Sequence, residues 1–100
     1  MARKKFDKET GVSLAAYPNP ASNAATVKYQ VDEASELRLA LLDLNGNLVQ
    51  SLDLGDVEAG PGAARLDLSK AADGLYILAL LQNSGGGSRP VAMFKLAVVR

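Results

Sequence analysis

The chain has no cysteine, no histidine and no tryptophan, and only five aromatic side chains in 100 residues. Without cysteine there is no disulfide and no thiolate nucleophile. Without histidine the commonest general base is missing, and the two absences together remove the usual zinc ligands. An excess of one charge is lacking too. Lys plus Arg and Asp plus Glu are 11 each, so no net field directs the chain towards a polyanion or a membrane surface, and nucleic acid is not an expected partner. Long hydrophobic runs are also absent. Leu75–Leu81 is the longest kind of purely apolar stretch, far short of the roughly 20 residues that span a bilayer, so direct membrane insertion is not expected. Met1 to Ala16 lacks the continuous apolar core of a secretory signal. A cysteine-free chain is compatible with any compartment, and in export it gains by being unable to misoxidise.

What remains is the composition of a folded domain. With 48% hydrophobic and 22% charged residues the chain is not of the disordered class, and its length suits one domain with a real core. Residues 1–12 carry charges throughout, including Arg3-Lys4-Lys5, and read as a linker or tag remnant. From Ser13 to Arg100 the pattern changes to short apolar runs separated by turn residues about every eight to twelve positions, as in a sandwich or barrel.

Strands are expected at Ser13–Tyr17, Ala25–Val31, Glu36–Asp43, Leu48–Leu54, Ala63–Leu68, Leu75–Gln82 and Val91–Val99. Pro18-Asn19-Pro20 stops the first, because proline donates nothing to a ladder. In the second, Val27, Tyr29 and Val31 alternate with Thr26, Lys28 and Gln30, so one face is wet. Asn45-Gly46 marks a hairpin, both residues tolerating positive φ. Gly55–Gly62 reads as a loop, and Ser84–Ser88 as a flexible hairpin tip. Leu75–Gln82 is apolar on both faces, which suggests a central strand covered on both sides. Ser69–Ala72 has room for a single helical turn. The expected fold is all-β: a seven-stranded antiparallel sandwich of the immunoglobulin-like or fibronectin-III-like kind.

Candidate chemistry is sparse, and no catalytic, cofactor-binding or metal residue can be named. Asp53, Asp56 and Glu58 lie close together and read as a solvated acidic loop or a loose calcium site, with a catalytic carboxylate pair as a remote third option. Tyr29, Tyr76 and Phe94 fall in strand patterns, which leaves few aromatics for a sugar-binding platform. Tyr76, after Asp73-Gly74-Leu75, stands where a sandwich tyrosine returns its hydroxyl to upstream backbone.

Four motifs in order carry a resemblance. They are Tyr17-Pro18-Asn19-Pro20 at the entry, Leu41-Leu42-Asp43-Leu44-Asn45-Gly46-Asn47-Leu48-Val49 at the hairpin, Asp73-Gly74-Leu75-Tyr76, and Lys95-Leu96-Ala97-Val98-Val99-Arg100. Together they resemble the C-terminal sorting domain of proteins exported by the type IX secretion system of Gram-negative bacteria. The chain departs from that pattern at Leu42 and Asn47, where the family usually has Tyr and a basic residue, and in the longer Gly85–Ser88 tip.

The resemblance implies a non-catalytic address on a larger cargo, carried through the periplasm to the cell surface or beyond. It implies as partners an outer-membrane translocon and a surface peptidase that cleaves the domain off, with the domain itself a monomer without cofactor. It assigns translocon recognition to Lys95, Leu96, Val98, Val99 and Arg100, and structural duties to Pro18, Asn19, Pro20, Asp43, Asn45, Gly46, Gly74 and Tyr76. A free edge on the Pro-free strand Val91–Val99 offers one physical route to recognition, by strand addition. The competing readings are a carbohydrate-binding or adhesive module, and an immunoglobulin-like spacer of a secreted multidomain enzyme.

Overall fold

The computed structural model describes residues 12–100, the side chain of Ser84 excepted. The expectation for the basic cluster lies outside the described residues. Seven strands form: β1 Ser13–Tyr17, β2 Ala24–Val31, β3 Ser35–Asp43, β4 Leu48–Val57, β5 Gly60–Asp67, β6 Gly74–Ser84 and β7 Gly87–Val98. They build a three-stranded sheet, β1-β2-β5, and a four-stranded sheet, β4-β3-β6-β7, antiparallel throughout. No helix occurs among the described residues. Ser69–Ala72 makes only a turn, closed by the Ala71 N–H on the Leu68 carbonyl at 3.0 Å. The all-β sandwich is as the alternation requires.

The core lies between the sheets and is filled by alternate residues of each strand. Leu37, Leu39 and Leu41 of β3 meet Tyr76, Leu78 and Leu80 of β6 and Leu96 and Val98 of β7, across from Val27 and Val31 of β2 and Leu66 of β5. Nine of these large side chains, and Leu68 after β5, are under 2% exposed. At roughly 1.5–3 kcal/mol for each fully buried aliphatic, they are the main stabilising group. Val12, assigned to the linker by its sequence, is buried in this core and belongs to the domain.

Four further local expectations change. The Gly55–Gly62 loop is mostly strand: β4 runs on to Val57, β5 starts at Gly60, and Glu58-Ala59 alone connect them. The ladder survives because Leu37 pairs with Gly55 and Arg38 with Asp53, which leaves Leu54 as the extra residue of a bulge. Gly55 takes the left-handed conformation (φ +70°) that such a bulge asks for. Pro61 is tolerated because β5 is an edge strand. Likewise β7 begins at Gly87, so the tip narrows to Gly85-Gly86, and Pro90 falls beside the bulge at Val91.

The Asn45-Gly46 hairpin forms, but with only Gly46 left-handed (φ +87°), since no non-glycine residue among those described has positive φ. The Gly46 N–H donates to the Asp43 carbonyl at 3.0 Å, and the Asp43 N–H to the Asn47 carbonyl at 3.0 Å. That is a type I turn followed by a left-handed glycine, rather than the two-residue mirror-image turn. Finally, β6 is central in its sheet, between β3 and β7, but only its inward face is covered by a second layer. Ile77 and Leu81 point outward and stay half-buried.

Candidate functional site

The ladder registers bring all four motifs to one end of the sandwich. Asp43 pairs with Tyr76, Tyr76 with Leu96, and Gly74 with Val98. The end of β3, the start of β6 and the end of β7 therefore share one rim. Tyr17, at the end of β1, and the segment after it reach the same rim, because Ala21 bridges Val98 in parallel. The acids of β4 and the Gly85-Gly86 tip lie elsewhere.

Both X-Pro bonds of Tyr17-Pro18-Asn19-Pro20 are cis. Beyond β1 this turn lays Asn19 and Ala21 along the outer edge of β7. The Asn19 side-chain amide behaves as a peptide group: its Nδ2 donates to the Lys95 carbonyl at 3.2 Å, and its Oδ1 accepts from the Ala97 N–H at 3.0 Å. Ala21 continues the pairing, donating to the Ala97 carbonyl and accepting from the Val99 N–H, both at 2.8 Å. The edge from Lys95 to Val99 is thus occupied by the chain's own strap. This corrects the expectation of a free edge on the last strand, and Pro90 within β7 removes a further donor.

The terminal motif divides by burial. Leu96 and Val98 are wholly buried, so they hold the strand in place. Lys95 is exposed, and Val99 shows 55% of its surface. Arg100 is exposed at its backbone, yet its guanidinium reaches back across the rim. It donates to the Leu68 carbonyl, to the Ala71 carbonyl at 2.5 Å and to the Asp73 carboxylate at 3.3 Å. Asn23 fastens the same segment, its carbonyl accepting the Leu68 N–H at 2.8 Å. Nothing in the periodicity of the sequence marks Asn23 or the reach of Arg100. A charged residue just after a buried strand end is the only hint.

Tyr76 makes the tyrosine corner, its hydroxyl donating to the Ala72 carbonyl, four residues upstream, at 2.5 Å. Asp43 organises the hairpin. Its carboxylate accepts the backbone N–H groups of Asn47 and Asn45, each at 2.9 Å, and these bonds, with that of Asn47 foremost, hold its pKa below the usual aspartate value. Asp67 is lowered in the same way, chiefly by the Ser69 N–H.

The other candidate chemistry does not assemble. Asp53 and Asp56 are spread along β4, opposite Arg38 and Glu36. No group of three acidic side chains among the described residues could hold a metal ion. Tyr76 is buried and Tyr29 and Phe94 pack on the core, which leaves Tyr17 as the one well-exposed aromatic among the described residues. A cleft of about 490 Å³ lined by Glu36, Arg38, Asn83 and Ser88 carries no aromatic wall for a sugar ring. Nor is any helix among the described residues long and apolar enough to cross a membrane.

Residues 15–90 match the family model described as the secretion system C-terminal sorting domain. The chain belongs to this family. The match bears out the family resemblance and covers the first three motifs, Lys95–Arg100 lying beyond it. Among solved structures, the sorting domain is similar to part of dimeric latent PorU from Porphyromonas gingivalis, with 24% identity and a TM-score of 0.74 over 88% of this chain. It spans only 9% of that protein. It is also similar in fold to the soluble domain of PmoD from a Methylocystis species, with 13% identity and a TM-score of 0.56, covering 88% of this chain and 90% of that one. No curated protein sequence matches.

Proposed function

We propose that this sorting domain is a folded, non-catalytic label that a larger cargo carries through the periplasm to the outer-membrane translocon of the type IX system. At the cell surface a sorting peptidase removes it. The observation that carries this reading is the convergence of four sequence-distant motifs on one rim, locked by Asn19, Tyr76 and Arg100. A label read after folding must present a fixed surface, and this rim is fixed by bonds between residues up to 78 positions apart.

On this reading the roles within the terminal motif differ. Leu96 and Val98 contribute by packing. Lys95, Val99 and the exposed flank of Arg100 are what a translocon can touch. Recognition then reads side chains, since the backbone edge beside them is already paired. The sorting domain acts as a monomer and needs no cofactor.

The test is a fusion of residues 13–100 to a fluorescent reporter bearing a signal peptide, expressed in a type IX-competent host. The reporter is expected at the cell surface and in the medium. Retention in the periplasm would sink the sorting role.

A further inference from the structure

Towards the rim the outward face of the four-stranded sheet is largely apolar, where an antiparallel sheet facing water is ordinarily polar, while Arg38, Ser51 and Asp53 make its other half polar. The registers place Leu42, Ile77 and Lys95 in one row and Ala40, Ala79 and Met93 in the next, with Leu48 beside Leu42 and Leu75 one pair beyond Ile77. Met93 is 61% exposed, Leu48 61% and Leu75 49%. Ala40 and Ala79 are nearly inaccessible, shielded by their larger neighbours in the same face. The outward face of the other sheet is mixed, Ser13, Thr26, Lys28, Gln30 and Arg65 interleaving with Ala15, Tyr17, Pro61 and Ala63. The same fold thus carries one mixed face and one with an apolar patch at its rim end, and a contiguous exposed apolar patch marks a contact surface.

Two features specify the occupant. Lys95 is set among Ile77, Met93 and Ala97, and no carboxylate pairs with it, the single salt bridge among the described residues being Arg100–Asp73. The face is also small. Three strand spacings by six residues give roughly 300 Å², against about 800 Å² per partner in a stable interface. A second copy of the chain would leave each Lys95 beside apolar surface and bury too little to hold. A transient contact with an apolar segment carrying an acid satisfies both features.

We propose that this face docks a protein partner through an apolar segment flanked by a carboxylate that pairs with Lys95. The proposal deepens the sorting reading and rests on it for where the partner is met, namely at the export machinery.

The test uses the whole chain, isotope-labelled for NMR, titrated with two capped peptides, Glu-Ile-Phe-Val-Glu and Lys-Ile-Phe-Val-Lys. The acidic peptide should shift the amides of Ile77, Met93 and Lys95 and the basic one should not, and Lys95→Glu should invert the preference. Equal responses, or shifts centred on another face, overturn the proposal. So does co-sedimentation with phosphatidylglycerol vesicles, which would make the occupant a lipid surface, or a concentration-dependent dimer, which would make it a second copy. In the reporter host, a Leu75→Glu, Met93→Glu variant should melt like the parent yet lose about tenfold in surface-to-periplasm ratio, the scale of losing an apolar anchor. A Lys28→Glu, Arg65→Glu variant on the mixed face should export normally. A parent reporter that stays in the periplasm sinks the sorting reading and leaves the peptide result to decide the docking face. An exported parent with an equally exported Leu75→Glu, Met93→Glu variant overturns the docking face alone.

Discussion

At Tyr76 and Arg100 the chain uses long polar side chains to satisfy backbone carbonyls that no ladder reaches. Tyr76 is buried, so Tyr76→Phe removes a hydroxyl donor and leaves the Ala72 carbonyl short of a partner. The expected loss is about 1–2 kcal/mol, read by denaturant unfolding. A fully stable Tyr76→Phe protein that failed in export would instead make the hydroxyl a contact.

Lys95 and Arg100 are both basic and both terminal in the motif, but they differ in what they touch. Lys95→Ala removes an outward charge and should change stability by no more than about 0.5 kcal/mol. Arg100→Ala strips donors from the Leu68 and Ala71 carbonyls and should cost about 1–2 kcal/mol, since bonds to a charged donor lie at the upper end of the usual range. Separate thermal melts of the two variants decide the point, and equal melting temperatures would refute the anchoring role of Arg100. The sequence suggests only that both belong to one recognised motif. It does not show that one of them faces back into its own fold.

At the scale of elements, the strap after β1 explains how β7 ends a sheet without inviting another chain. A sheet edge with unpaired N–H and C=O groups is a template for unwanted pairing, and here Asn19 and Ala21 take those groups from Lys95 to Val99. Asn19→Ala should lose two hydrogen bonds, about 1–3 kcal/mol together. It should also expose the Lys95–Ala97 edge, so self-association should rise when followed by light scattering as protein concentration increases. A variant that stays monomeric and fully stable would show that the strap does not protect this edge. The strap was only half legible. Two prolines flanking Asn19 announced the end of β1, but the partner of that asparagine lies more than 75 residues away, and no local pattern encodes such a distance.

For the whole molecule, acid is the informative variable. The carboxyls of Asp43 and Asp67 both titrate below the usual aspartate range because backbone N–H groups bind their ionised forms. A folded-state pKa below the unfolded one stabilises at pH values above the unfolded pKa, and this contribution vanishes as pH falls through the lowered folded value. With no histidine in the chain, stability should be flat through neutral pH and should fall only on the acid side of the aspartate range. Asp43→Asn and Asp67→Asn together should flatten that acid limb in melts across pH. A slope near pH 6–7, where only histidine normally titrates, would contradict this account.

The strand class, the inward stripe through Val27 and Val31, the hairpin at Gly46 and the corner at Tyr76 are legible in the chain, because each rests on alternation or turn chemistry within about ten residues. The sequence alone misplaces the ends of β4, β5 and β7, where glycine and proline read as loop although a bulge and an edge position accommodate both. The fold alone settles that the four motifs share one rim, that the last strand's edge is closed from Lys95 to Val99, and that β6 is covered on one side only. Those facts depend on which strands become neighbours, and that is settled by the burial of the leucine stripes of β3 and β6 against the opposite sheet, a long-range event that leaves no trace in local spacing.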